Sequence, residues 1–281
     1  MKLTTRRHDR DSAGMTYVYP VVSRRAQGVS VGVNLNTNNA CNWRCVYCQV
    51  PDLVQGKAPE VDLALLEGEL REMMLDIVRG DFLTERVPEG SRRLNDVAFS
   101  GNGEPTSSPR FREAVETVVA VLRELDLAGE LKLVLITNGS LTHRPEVQAG
   151  LRLLAANRGE VWYKLDSATD AGAERLNSNR AGPARALSNL RAAAELCPTW
   201  VQTMALARNG EPPSEAEREA YLAALDELVR DGVALEGVLL YGLQRASYQP
   251  EADELSAVPT GWLEEYAERI RGAGLAVRVS P

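Results

Sequence analysis

Cys41, Cys45 and Cys48 stand in the run Cys41-Asn42-Trp43-Arg44-Cys45-Val46-Tyr47-Cys48, three thiols at positions i, i+4 and i+7. Cysteines this crowded read first as metal ligands. A 4Fe-4S cube normally takes four thiolates, so three from one loop leave one iron without a protein ligand and open to chemistry. Two other readings fit the same loop. Zinc needs a closed tetrahedral set, whose fourth ligand here would be Cys197, His8 or His143. Two of the thiols also suit a redox pair. Trp43 and Arg44, inside the loop, are expected to shield the metal.

The loop resembles that of the radical S-adenosylmethionine (SAM) superfamily, Cys-x3-Cys-x2-Cys with an aromatic residue before the third cysteine, the place held here by Tyr47. The resemblance implies a 4Fe-4S cluster whose open iron is chelated by the amino and carboxylate groups of SAM. It also implies that one electron, from a low-potential donor such as flavodoxin or ferredoxin, cleaves the sulfonium to a 5'-deoxyadenosyl radical. Gly101-Asn102-Gly103-Glu104-Pro105 is similar to the family's Gly-Gly-Glu-Pro motif, with Asn102 as a departure. Glycines there let backbone approach a ligand, and Glu104 or its neighbouring carbonyls would meet the methionyl ammonium. Asn138, in Thr137-Asn138-Gly139, matches a further family position, and Asp166 and Ser167 match the place of the ribose contacts. Gln202 would line the same cavity, although the glycine-containing motif of many members is absent from its strand.

Two positions before Asp166, Lys164 shares its face if the strand stays regular. It is the candidate catalytic residue, suited to substrate binding, to the cofactor carboxylate or to a Schiff base, with a structural ion pair as the plainer reading. Tyr241 and Arg245 are the candidate substrate contacts, Arg245 for a carboxylate or phosphate. Cys197, alone before Pro198, reads as a buried apolar residue.

Strand-length apolar runs alternate with helical patterns, which predicts an α/β fold with a mostly parallel sheet. Six units are legible, beginning at the strands Val29–Leu35, Asn95–Ser100, Leu131–Ile136, Val161–Leu165, Trp200–Leu206 and Val238–Tyr241. Helices are expected from Asp62, Pro109 (capped by Ser108), Pro145, Pro183, Ser214 and Gly261, and Leu275–Val279 adds a terminal strand. Six units are too few for a closed eight-fold barrel, so the prediction is an open, partial (β/α)6 barrel. Cys41, Glu104, Asn138, Asp166 and Arg245 fall at or past C-terminal strand ends, the edge where barrel active sites gather.

The 281 residues fit one large domain over 29–281, preceded by a basic arm at 1–28 with Lys2, Arg6, Arg7, Arg10, Arg24 and Arg25. The arm reads as a solvated terminus or as a lid over the site. A net charge of −7 argues against a large nucleic-acid footprint while leaving room for a local basic patch. Nothing approaches the roughly 18 apolar residues of a membrane span. The N-terminus lacks a signal's apolar core, so a cytoplasmic protein is expected, and four cysteines form no sensible disulfide framework.

Within the superfamily, the motifs are most similar to the group that includes the tRNA wyosine-forming enzymes. Those carry a second cluster on further cysteines, whereas here only Cys197 lies outside the loop. A related but different reaction is therefore expected, with a small molecule as candidate substrate. An activating enzyme for a protein partner, a tRNA-modifying enzyme and a non-catalytic iron-sulfur or zinc protein are the alternatives.

Overall fold

The computed structural model describes residues 2–4, 13–23 and 28–281. Arg6, Arg7, His8, Arg10, Arg24 and Arg25 lie outside them, and with them most of the basic residues of the expected arm.

The chain builds an edge hairpin first. Strand β1 (Val18–Ser23) pairs antiparallel with β2 (Gly28–Val33), Val18 opposite Val33 and Ser23 opposite Gly28. Part of the segment expected as an arm is therefore sheet. The short β3 (Ala40–Cys41) and β4 (Val54–Gln55) pair with each other and bracket the cysteine loop. Helix α1 (Leu63–Arg79) follows, its first turn capped by Asp62, which accepts from the Leu65 amide at 3.0 Å. Its Leu66, Leu70, Met73, Met74 and Ile77 form the buried stripe that three- and four-residue spacing predicts. A short α2 (Phe82–Arg86) leads to β5 (Leu94–Phe99).

The remaining units follow the same rule: α3 (Phe111–Glu124), β6 (Lys132–Thr137), α4 (Pro145–Ala155), β7 (Gly159–Lys164), α5 (Asp170–Asn177), α6 (Gly182–Ala194), β8 (Thr199–Arg208) and α7 (Glu215–Arg230). The chain closes with β9 (Leu235–Gly242), β10 (Leu255–Ala257), α8 (Thr260–Gly272) and β11 (Val277–Ser280). The sheet order is β1-β2-β5-β6-β7-β8-β9-β11, with β10 antiparallel on β8. Every neighbour pair from β2 to β11 is parallel. The six expected units are all present, in an open, curled half-barrel.

Three expectations need correction. The helix expected from Pro109 starts at Phe111, because a 3-10 turn at Pro105–Ser107 comes first and Ser108 Oγ accepts from the Arg110 amide at 3.2 Å instead of capping the helix. The polar stretch around Asn177 is helix α5, capped by Thr169, whose side chain accepts from the Gly172 amide. The loop after β9 contains β10, held in register by Leu255 opposite Arg208.

The main core fills the space between the sheet and the helices. Tyr163 is fully buried there and its hydroxyl donates to the Ala186 carbonyl of α6 at 2.8 Å, so β7 turns Tyr163 toward the helices. A smaller apolar cluster of Val46, Tyr47, Met204 and Leu206 sits on the other side, against the cysteine loop.

Candidate active site

The cysteine loop is held from three directions. Beneath it, Asn36 donates to the Ala40 carbonyl at 2.8 Å and to Ser107 Oγ at 3.2 Å, while Asn34 Oδ1 accepts from the amides of Asn36 and Asn102. A Cβ on Gly103 would run into the Ala40 carbonyl, and one on Gly101 into Asn34. Both glycines are thus required by the closeness of the two loops.

From one side comes the C-terminus of α5. The Arg44 and Val46 amides donate to the Asn177 and Leu176 carbonyls at 3.2 and 2.9 Å, satisfying helix-end acceptors that have no partner inside the helix. From the other side comes the segment after β9. Ser247 Oγ donates to the Val46 carbonyl at 2.7 Å, the Tyr248 amide to the Cys48 carbonyl at 2.9 Å, and Glu251 grips Arg44 through two contacts of 2.7 Å.

The expected motif residues meet around this loop. Glu104 is buried, and its carboxylate accepts from the Thr106 amide and hydroxyl, the Thr137 hydroxyl and the Asn138 amide. Burial raises its pKa against those four hydrogen bonds. Asn138 in turn donates to Asn42 Oδ1 at 2.9 Å and so reaches the cysteine loop itself.

Asp166 and Ser167, the expected ribose contacts, are both met by neighbouring donors. Asp166, whose side chain is fully buried, accepts from the Tyr47 hydroxyl, from Asn177 Nδ2 at 2.8 Å and from the Met204 amide at 2.9 Å. It stands behind the cavity wall, as a buried carboxylate must be met by donors. Ser167 is also turned away, accepting from the Thr169 amide at 3.2 Å. Both side chains are thus engaged by protein partners.

A cavity of about 540 Å³ opens over the C-terminal strand edge. Cys41, Cys45, Cys48, Trp43 and Tyr47 line one end, and Gly101, Asn102, Gly103, Glu104, Asn138, Lys164, Gln202, Tyr241 and Arg245 are among the residues that line the rest. Lys164 lies 3.7 Å from Asp166, 3.2 Å from the Tyr241 hydroxyl and 4.8 Å above the Tyr47 ring. Burial alone would lower its pKa, but Asp166, with lesser help from Tyr241, carries it above the usual lysine value, so the group stays an ammonium. Burial pushes the Cys41 thiol up to about 12 and the Cys45 thiol up to about 11; metal binding is what removes such protons. The Tyr47 phenol is raised well above its ordinary value, first by burial and then by Asp166.

A family profile described as Radical SAM superfamily matches residues 35–223, the stretch that runs from the cysteine loop through β8 and into α7. The chain belongs to the radical SAM superfamily. It is 28% identical over 138 residues to a UPF0026 protein of Helicobacter pylori, covering 47% of this chain and 38% of that protein. To a UPF0026 protein of Synechocystis sp. it is 27% identical over 166 residues, covering 59% and 54%. It thus spans about half or less of these curated relatives.

A radical SAM methyltransferase from Sphaerobacter thermophilus superposes with a TM-score of 0.60 at 15% identity, covering 93% of this chain and 68% of that one. TYW1 with a lysine-pyruvate adduct bound gives 0.56 at 14%, covering 89% and 74%. At these identities the likeness shows the fold.

The radical SAM cofactors are a 4Fe-4S cluster and SAM, and the residues present fit them. All three thiols of the loop face one cavity end, each available to a different iron. Among the described residues, no group of three His, Cys, Asp or Glu side chains closes on a single ion. Cys197 is buried beside the Gly159 carbonyl at the opposite sheet edge, 3.5 Å away, so a zinc site completed by Cys197 is ruled out. The side chains of Asn102 and Gln202 line the cavity, and their buried Oδ1 and Oε1 atoms have no hydrogen-bond partner among the described residues, which leaves two acceptors unused by the protein.

Sequence reasoning missed Asn34, Asn36, Asn177 and the Ser247–Glu251 clamp. The sequence neighbourhood of the two asparagines just before Cys41 was their one visible signal.

Proposed function

We propose that this radical SAM enzyme abstracts hydrogen from a small-molecule substrate held over the C-terminal strand edge between Lys164, Gln202, Tyr241 and Arg245. The observation that carries the reading is the single cavity shared by the three thiols and these four side chains. Its volume lies within the roughly 300–1,000 Å³ of ordinary ligand sites. SAM must occupy part of it, which favours a small substrate or the small end of a larger one. When bound, the cluster and SAM supply a 5'-deoxyadenosyl radical, given an electron from an external low-potential donor.

The chain's own residues bind and exclude. Lys164 offers a fixed positive charge to a carboxylate or phosphate, Gln202 Oε1 and Asn102 Oδ1 accept from ligand N–H or O–H groups, and Trp43 and Tyr47 keep water from the thiols. Glu104 acts through its position, tying the glycine loop to Asn138, with Oε2 keeping spare acceptor capacity for an ammonium. TYW1 has been solved with a lysine-pyruvate adduct; the same chemistry at Lys164 would need a neutral amine, which Asp166 opposes, so ionic binding is the favoured role.

The test is anaerobic reconstitution followed by dithionite and SAM. Release of 5'-deoxyadenosine and methionine is expected, with loss of that release in Cys45→Ala. Undiminished cleavage by the variant would remove the cluster assignment and the proposal together.

A further inference from the structure

Asn177 is the last residue of α5, 2% exposed, and its side chain plays no part in the chemistry described so far. Its Nδ2 lies 2.8 Å from Asp166 Oδ2, 3.3 Å from Cys45 Sγ and 3.4 Å from the Tyr47 hydroxyl. An amide nitrogen has two hydrogens, and an ionised carboxylate only accepts. Asp166 therefore decides which end of the amide faces inward, and the Tyr47 hydroxyl, which donates to the same carboxylate oxygen, closes the arrangement. With one hydrogen given to Asp166, the second lies between the sulfur of Cys45 at 3.3 Å and the Tyr47 hydroxyl at 3.4 Å, and because that hydroxyl already donates to Asp166 the sulfur is the nearer acceptor. The backbone prevents retreat: the Asn177 carbonyl receives the Arg44 amide, and Ser178, at φ 54°, donates from Oγ to the Arg44 carbonyl at 3.2 Å.

We propose that Asn177 is a positioning residue that tunes the reduction potential of the cluster, by donating a hydrogen bond to Cys45 Sγ from an amide held in orientation by Asp166. The proposal rests on the cluster assignment made above. A donor on a cluster sulfur withdraws charge from it and stabilises the reduced, more negative cluster, which raises the potential. Removing the donor makes reduction harder without removing a ligand.

The experiment is a redox titration, followed by electron paramagnetic resonance, of anaerobically reconstituted wild type, Asn177→Leu and Ser178→Ala. Leucine keeps the volume and removes both N–H groups; Ser178→Ala loosens the same helix end without touching the sulfur. At full iron content, Asn177→Leu is expected to need a more reducing poise, by a tenfold change in the oxidised-to-reduced ratio, or about 59 mV for one electron, with Ser178→Ala unchanged.

An unshifted Asn177→Leu, or an equal shift in Ser178→Ala, overturns the proposal. If Asn177→Leu loses iron, pulsed resonance on reduced wild type labelled with 15N-asparagine decides it: a nitrogen coupling supports the bond and its absence refutes it. Wild type that takes up no cluster overturns this inference along with the proposed function, whereas a normal cluster with an unshifted variant overturns this inference alone.

Discussion

The same strand ends carry two layers of polar residues that behave in opposite ways. Around the cysteine loop, Asn36, Glu104, Asn138, Asp166 and Asn177 spend side-chain hydrogen bonds on protein partners, several of them on the loop itself, even though Glu104 and Asn138 also line the cavity. On the cavity wall, Asn102 Oδ1 and Gln202 Oε1 have no partner among the described residues and Lys164 keeps its charge beside the opening. The first layer braces the loop that carries the three thiols; the second is, in the function proposed above, the part that meets the ligand. Residue type does not separate the layers, since each holds amides and charges, so only geometry tells which role a residue has.

Mutations should divide along that line. The largest effect belongs to Asp166→Ala, which leaves the Tyr47, Asn177 and Met204 donors unmet and Lys164 without its counter-charge. Removing one partner of a buried pair costs about 4 kcal/mol, readable in chemical denaturation. Glu104→Ala orphans four donors and is expected to cost about 3 kcal/mol in the same assay. If either variant were as stable as wild type yet defective in SAM binding, the layers would have been assigned the wrong way round.

Gln202→Leu sharpens the contrast from the other side. Its buried acceptor has nothing to lose in the free protein, so stability should be unchanged or slightly higher. The apparent affinity for SAM or substrate should fall about tenfold, the value of one hydrogen bond near 1.4 kcal/mol; calorimetry on the reconstituted protein reads both quantities.

The smallest effect is at the clamp. Arg44 is 40% exposed on its side chain, so Glu251→Gln should cost less than about 1 kcal/mol. Arg44 holds the Glu251 carboxyl below its usual range. The contribution is therefore present above the unfolded carboxylate pKa and lost as pH falls through the lowered one. Glu251→Gln should flatten that part of the stability curve, and an unchanged acid limb would show the clamp contributes nothing.

How far the sequence could be read follows from the range of the interactions involved. The six parallel strands were legible because each is an apolar run of its own, β8 being buried at all but its last residue. Strand β1 was hidden by Pro20 and by basic neighbours that read as an arm, and its place at the edge depends on pairing with β2.

The cysteine loop and the glycine loop announced themselves through local spacing. The surroundings of Asp166 did not: regular alternation puts it on the same face as Lys164, from which it lies 3.7 Å, but β7 ends at Lys164, and the carboxylate is met by donors from Tyr47, α5 and Met204. Asn177 lies 132 positions from Cys45, and no local pattern links the two.

The most direct measurement counts iron and acid-labile sulfide in the anaerobically reconstituted protein. About four of each per chain are expected in wild type, with the count collapsing in Cys41→Ala, Cys45→Ala and Cys48→Ala and holding in Cys197→Ala. A full count surviving the loss of any loop cysteine, or dependence on Cys197, would contradict a cluster built on the three thiols at the mouth of this cavity.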